Sequence, residues 1–262
     1  MSKSMIKKTI VALILIAIVI PVAYIGGVLA PLVTMIISAL AAYEIHSLFN
    51  EKPNLIDVTL TFLFGASIII LDAEYSLIPI LVWLFVLFVV YLFSKDKHED
   101  YVAYTFLLSV VVNLALNTIV MFYERGNVFG FLVLFYIAIA AFGSDTAAYF
   151  VGSFYGKNKL LPKISPNKTW EGSIGGFVVG AIASLIFGLF FLHFYPISLI
   201  ITASLILPIV SQIGDLSFSA IKRRFKIKDF GSLIPGHGGI LDRVDSLIFA
   251  LLCFQCLLLL WF

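Results

Sequence analysis

Between Ser219 and Asp245 the chain reads Ser-Ala-Ile-Lys-Arg-Arg-Phe-Lys-Ile-Lys-Asp-Phe-Gly-Ser-Leu-Ile-Pro-Gly-His-Gly-Gly-Ile-Leu-Asp-Arg-Val-Asp. Six of these 27 residues are Lys or Arg and three are Asp, in a chain that is otherwise poor in charge. Carboxylates suit a divalent cation, Lys and Arg suit phosphate oxygens, and glycine lets a backbone approach a polyanion closely. The combination points to phosphoryl chemistry. Asp242 and Asp245 are three residues apart, which puts both on one face of a helix. Capping and dipole compensation at a helix N-terminus account for one of them. The second, with Arg243 between, favours metal binding, because three charges opening a membrane helix are costly unless they are used.

Asp215 lies in Ser-Gln-Ile-Gly-Asp-Leu-Ser, an otherwise apolar setting. A carboxylate at membrane depth marks a functional site by default, and the alternative is a buried salt bridge. Gly214 beside it would admit a second helix or a ligand. Asp215, Asp242 and Asp245 are therefore the expected ligands of one Mg²⁺ or of a two-cation centre. Asp145, between Ser144 and Thr146, either lines the same cavity or pairs with a loop cation. Lys222, Arg223, Arg224, Lys226 and Lys228 form a basic run. An anchor to anionic headgroups explains their charge but not the Lys-Asp and Gly-His-Gly-Gly that follow. Within the latter, His237 is a phosphate ligand or a turn residue, next to Gly238 and Gly239. In Ser165-Pro-Asn-Lys168-Thr-Trp-Glu171-Gly, Ser165 and Lys168 can hold phosphate. Glu171 caps the next helix or touches the metal. Glu44 and His46, at the end of an apolar run, read as a solvated or interfacial pair. Cys253 and Cys256 sit in a wholly apolar stretch and read as inert helix residues.

The elements that must position these groups are membrane helices. The chain is 61% hydrophobic and 12% charged, with a mean hydropathy of +1.10. No soluble domain of this length has the interior to bury so much apolar surface. Apolar runs lie near 9–25, 28–47, 57–72, 76–94, 103–123, 128–152, 173–194, 197–221 and 242–262. They predict an all-α, polytopic integral membrane protein with about nine transmembrane helices. A cytoplasmic N-terminus places every Lys and Arg except Arg125 on the cytoplasmic side, as the positive-inside rule requires. Residues 1–125 then hold about five helices. Residues 126–262 hold about four, with two long cytoplasmic loops, 153–172 and 223–241, that carry nearly all the polar motifs. No zinc spacing is present, and the basic residues sit beside hydrophobic spans, so nucleic-acid binding is not expected.

Ser219-x-x-Lys222-Arg223, Lys228-Asp229 and Pro235-Gly-His-Gly-Gly-x-x-Asp242-Arg-x-Asp245 resemble the signature of the phosphatidate cytidylyltransferases, or CDP-diacylglycerol synthases. The Ser-Pro-x-Lys-Thr-x-Glu-Gly loop and Gly-Ser-Asp-Thr-Ala-Ala-Tyr-Phe-x-Gly are also similar to family features. The resemblance covers roughly the second half of the chain. It implies that CTP and phosphatidic acid give CDP-diacylglycerol and pyrophosphate, with Mg²⁺ required and a second cation such as K⁺. It further implies a membrane homodimer with a polar cavity facing the cytoplasm. By this reading Asp215, Asp242, Asp245, Lys222 and Arg223 are catalytic. Ser165, Lys168, Lys228, His237, Gly238, Gly239 and Arg243 contact the substrates. An ion-coupled transporter is the competing class, since intramembrane Asp residues also mark transport paths. It would predict repeated halves and polar residues on both membrane sides, and the sequence has neither. An enzyme acting on another lipid phosphate is the nearer alternative.

Overall fold

A computed structural model describes residues 17, 19–71, 75–94, 97–233 and 238–262. Of the first expected span, 9–25, only the end is among the described residues, and 19–25 is helical. Gly26 and Gly27 follow in the left-handed region, at φ +57° and +54°. There a side chain would be strained, and the turn separates this stretch from the next helix.

The chain divides into two units. The first comprises Met1–Glu124 and Asp229–Asp242. Its helices are α1 (Leu29–Ser47), α2 (Leu55–Ile70), α3 (Leu77–Phe93) and α4 (Glu99–Glu124). Helices α1, α2 and α4 pack on one another, and α3 packs against α4 and α2. The core of the α2–α4 contact is Phe64, Ile68, Trp83, Leu87, Tyr101 and Val102, with Phe64 and Trp83 stacked 5.3 Å apart. Polar side chains fasten it. Trp83 Nε1 donates to Ser109 Oγ (2.9 Å), Ser38 Oγ donates to Asn113 Oδ1 (2.7 Å), and Asn113 Nδ2 donates to the Ser109 carbonyl (2.8 Å). Between helices in lipid such hydrogen bonds help to hold the bundle, because lipid tails give helix association no hydrophobic drive. Asn54 caps α2 by accepting the Ile56 amide at 3.0 Å. Asp57 in the first turn pairs with Lys97 Nζ at 2.7 Å.

The second unit comprises Arg125–Lys228 and Arg243–Phe262. It contains α5 (Asn127–Tyr155), β1 (Lys159–Leu161), β2 (Ser165–Thr169), α6 (Trp170–Phe191), α7 (Ile197–Arg224) and most of α8 (Leu241–Trp261). Helix α6 lies closely along α5 because its contact face is a row of glycines four residues apart. A Cβ on Gly172 would sit 2.6 Å from the Ala148 carbonyl oxygen, and one on Gly176 2.6 Å from that of Ser144. On Gly180 it would sit 3.0 Å from that of Ala140. This is the small-residue contact that brings membrane helices together. The antiparallel pair β1–β2 lies within the expected 153–172 loop, whose two ends, 153–155 and 170–172, are instead helical. Thr169 ends it and caps α6, accepting the Gly172 amide at 3.1 Å.

Among the described residues six helices, α1, α4, α5, α6, α7 and α8, are long and apolar enough to cross a membrane, and α2 and α3 are shorter apolar helices. The protein is an integral membrane protein whose regular structure, among the described residues, is helical but for that one strand pair. Helix α7 runs to Arg224, past the expected end at 221. Lys and Arg are good helix formers and complement the negative end of the dipole. Helix α7 stops in a Schellman turn, where Lys226 N–H reaches the Arg223 carbonyl, Ile227 N–H reaches that of Lys222, and Lys226 takes φ +57°.

The glycine row yields a test. Gly176→Ala should cost about 1–3 kcal/mol, because backbone must move to admit the methyl. Gly143, whose Cβ would meet nothing within 4 Å, should accept Ala with a gain of up to about 1 kcal/mol. Thermal unfolding of both variants in micelles compares them; equal melting temperatures would contradict the packing described.

Candidate active site

The second unit gathers three of the carboxylates. Asp215 is about two and a half turns before the end of α7, and α8 comes close to its neighbour Gly214. A Cβ on Gly214 would lie 2.9 Å from both the Asp245 carbonyl oxygen and Phe249 Cβ. The expectation that Gly214 admits another helix is met by α8. Asp245 itself is buried, and Asp215, Lys222 and Asp145 are its electrostatic neighbours. Asp145, on α5, is hydrogen-bonded to the Ser246 side chain and lies within the fields of Asp215 and Lys168. Lys168 Nζ, from β2, is 2.6 Å from Asp215 Oδ2, and both side chains are about one quarter exposed (25% and 27%). Ser219, one turn on from Asp215, donates to its Oδ1 at 3.3 Å. Asp145, Asp215, Asp245, Lys168, Lys222 and Ser219 are thus brought into one polar cluster.

Arg223 has backbone partners: Nε donates to the Ile164 carbonyl at 3.1 Å and Nη1 to that of Ile227 at 2.9 Å. It ties the strand pair to the end of α7. Glu171, the expected cap or metal ligand, accepts the Lys157 and Asn158 amides and Asn158 Nδ2. It closes the base of the strand pair. Ser165 lies in β2, and Lys228 and Arg243 are exposed.

The first unit holds Asp242. Its Oδ2 accepts the amides of Phe230 (2.8 Å) and Gly239 (3.0 Å), which brings both residues to the carboxylate. Gly238 sits at φ +87° with the space for its Cβ limited by Asp242 Oδ2 at 3.0 Å. His237 lies outside the described residues. Glu44, read from the sequence as half of a solvated or interfacial pair, is instead fully buried. Its Oε1 accepts the Ile240 amide (2.7 Å) and its Oε2 the Leu241 amide (2.9 Å). The first amides of a helix have no intrahelical acceptor, and here a side chain 196 residues distant in sequence provides it. His46 is likewise buried, with Nε2 2.7 Å from Thr61 Oγ1. The pair reading failed because hydropathy marks Glu and His as polar without saying what faces them.

Mg²⁺ favours hard oxygen donors and is commonly held by one or two carboxylates with substrate phosphates completing its sphere. Asp145, Asp215 and Asp245 are such a donor set, with no sulfur or imidazole among them. Among the described residues no three acidic, His or Cys side chains converge tightly enough to enclose an ion by themselves. A cation held there would have to complete its sphere with phosphate or water oxygens.

Gln212 was missed by sequence reasoning. It accepts from Ser173 Oγ (2.5 Å), and its Nε2 donates to Ser144 Oγ (2.9 Å) and the Ser173 carbonyl (3.1 Å). One side chain on α7 thereby joins α5 and α6, one turn before Asp215 and next to Asp145. The only signal in the sequence was a lone amide in an apolar helix, which does not reveal its partners.

The sequence pattern that defines the cytidylyltransferase family matches residues 6–261. A phosphatidate cytidylyltransferase of Staphylococcus haemolyticus (strain JCSC1435) is 33% identical over 261 residues, 96% of this chain and 98% of that protein. One of Bacillus subtilis (strain 168) is 32% identical over 237 residues, 83% of this chain and 85% of that protein. One of Haemophilus influenzae (strain ATCC 51907 / DSM 11121 / KW20 / Rd) is 42% identical over 133 residues, 48% and 45% of the two chains.

Replacing Gln212 by Leu keeps the volume and removes the hydrogen bonds, leaving buried Ser144 unpaired on that side. The expected loss is about 1–3 kcal/mol. Denaturation in micelles would measure it, and stability equal to the parent would mean the node carries no energy.

Proposed function

The chain belongs to the cytidylyltransferase family, and on that premise we propose that it transfers the cytidylyl group of CTP to phosphatidic acid. It is a nucleotidyltransferase, and the products are CDP-diacylglycerol and pyrophosphate. The observation that carries the reading is the similarity to phosphatidate cytidylyltransferases along 83% and 96% of the chain. The polar cluster of the second unit supports it, because a lipid phosphate must be met by positive charge, which Lys168 and Lys222 carry and which carboxylates can supply only through a cation they hold.

A phosphate oxygen of phosphatidic acid attacks the α-phosphorus of CTP in line. The bond from that phosphorus to the oxygen bridging to the β-phosphorus breaks, and pyrophosphate leaves with the electron pair. The lipid phosphate is already ionised near neutral pH, so the residues position and neutralise rather than abstract a proton. We assign Asp215, Asp242 and Asp245 to Mg²⁺, which when bound would neutralise triphosphate charge. Lys168 keeps an ammonium 2.6 Å from Asp215 and is a natural donor to a phosphate oxygen. Lys222 and Arg223 add positive charge for the leaving pyrophosphate. Ser165, Lys228, Arg243 and the Gly238–Gly239 backbone are assigned to substrate contact, as is His237. A second cation such as K⁺ and a homodimer complete the proposal.

We further place about nine helices across the membrane with the N-terminus and the site cytoplasmic. The charge distribution supports this, since only Arg125 falls on the other side.

Purified protein in micelles should release pyrophosphate only with CTP, phosphatidic acid and Mg²⁺ together. Asp215→Asn and Asp242→Asn should each lower the rate by about 100-fold or more while leaving the fold intact. Release that persists in both variants would refute the carboxylate assignment, and none with any nucleotide would refute the reaction. Orientation is checked separately, with single cysteines on a background lacking Cys253 and Cys256. A cysteine at Arg125 should react with an impermeant reagent added outside intact cells, and one at Lys52 only after lysis; the opposite pattern would invert the topology.

A further inference from the structure

Glu44 shares the 229–242 segment with Asp242, and consecutive amides are divided between the two carboxylates. Gly239 N–H goes to Asp242, and Ile240 and Leu241 N–H go to Glu44. Phe230, whose amide also binds Asp242, has its carbonyl held by Ser47 Oγ at 3.2 Å, from the last turn of α1. A Cβ on Gly231 would lie 2.9 Å from Glu44 Oε1, and one on Gly239 would collide with the same carboxylate. Two glycines of the segment are therefore accounted for by the space Glu44 occupies. The helix-start amides that could otherwise receive a phosphate are already taken by this side chain.

We propose that Glu44 is a positioning residue for the transfer reaction: from α1 it holds residues 239–241, and with them Asp242, in the arrangement that presents the Asp242 carboxylate. The inference rests on the cytidylyl-transfer reading for its catalytic part, and on the hydrogen bonds alone for its structural part. The carboxylate is required because each oxygen takes a different amide. Gln can accept at one oxygen only and turns its own N–H toward the other amide, a donor facing a donor. Asp keeps both acceptors but is one methylene short.

The test compares wild type, Glu44→Gln, Glu44→Asp and His46→Gln. His46 is a buried neighbour on the same helix whose partner is Thr61 rather than the segment. Pyrophosphate release is measured against Mg²⁺ concentration, and backbone amide exchange is followed by deuterium uptake. Outer-shell partners of metal ligands are typically worth about 10–100-fold in activity or metal affinity. Glu44→Gln should therefore lower kcat by about 10–100-fold and raise the Mg²⁺ concentration for half-maximal rate. Glu44→Asp should fall between it and wild type. Exchange at 239–242 should quicken in Glu44→Gln while the rest of α1 and α4 stays protected. His46→Gln should lower the melting temperature without moving kcat or the Mg²⁺ midpoint. Unchanged exchange at 239–242, or a Glu44→Gln enzyme with wild-type kcat and Mg²⁺ midpoint, would overturn the proposal. If Glu44→Gln does not fold, Glu44→Asp decides by the same two readouts. Should wild type itself release no pyrophosphate, the reaction reading fails, and the exchange data alone then support or overturn the hold of Glu44 on the segment.

Discussion

Hydrocarbon offers a carboxylate neither hydrogen-bond donors nor counter-charge, so an acidic group away from water must find them inside the protein. The structure solves this three ways. Glu44 is met by two backbone amides at the start of α8. Asp57 and Asp215 are each met by a lysine, at 2.7 and 2.6 Å. Asp145 and Asp215 are further met by serine hydroxyls. Where the acids sit is therefore inseparable from which helices can bring donors to them. The rest of the packing follows from that need.

Small residues make the approach possible in the second unit. The Gly172, Gly176 and Gly180 row lets α6 lie against α5, and Gly214 lets α8 lie against α7. These contacts set Asp145, Asp215 and Asp245 within each other's fields. Like charges so placed repel, which is tolerable only beside Lys168 and Lys222 or a bound cation. Gln212 fixes the spacing of the three helices from within, using hydrogen bonds whose geometry is more exacting than apolar contact. The strand pair adds the outer part: it carries Lys168 inward to Asp215 and is closed by Glu171 and Arg223.

In the first unit the same physics builds a loop rather than a cluster. Phe230 and Leu241 are buried there, and carboxylates pair the backbone amides around them. Asp242 gathers Phe230 and Gly239, and Glu44 gathers Ile240 and Leu241. Loss of either acceptor would leave backbone amides among these residues unpaired.

Much of this was legible in the sequence. Hydropathy located the described helices, because crossing lipid demands long apolar runs, and the dense Lys, Arg, Asp and Gly of 219–245 marked the family. Gly214 was readable as a place of close approach. Helix ends were less so: α7 extends through Lys222–Arg224 because charged residues can be helical without being apolar. The partners were not readable at all. Nothing in Glu44 announces Ile240 and Leu241, nothing in Gln212 announces Ser144 and Ser173, and nothing in Lys168 announces Asp215. Composition and periodicity report what one residue prefers as its surroundings. Which donor meets which acceptor depends on how helices distant in sequence pack, and that the tertiary structure alone decides.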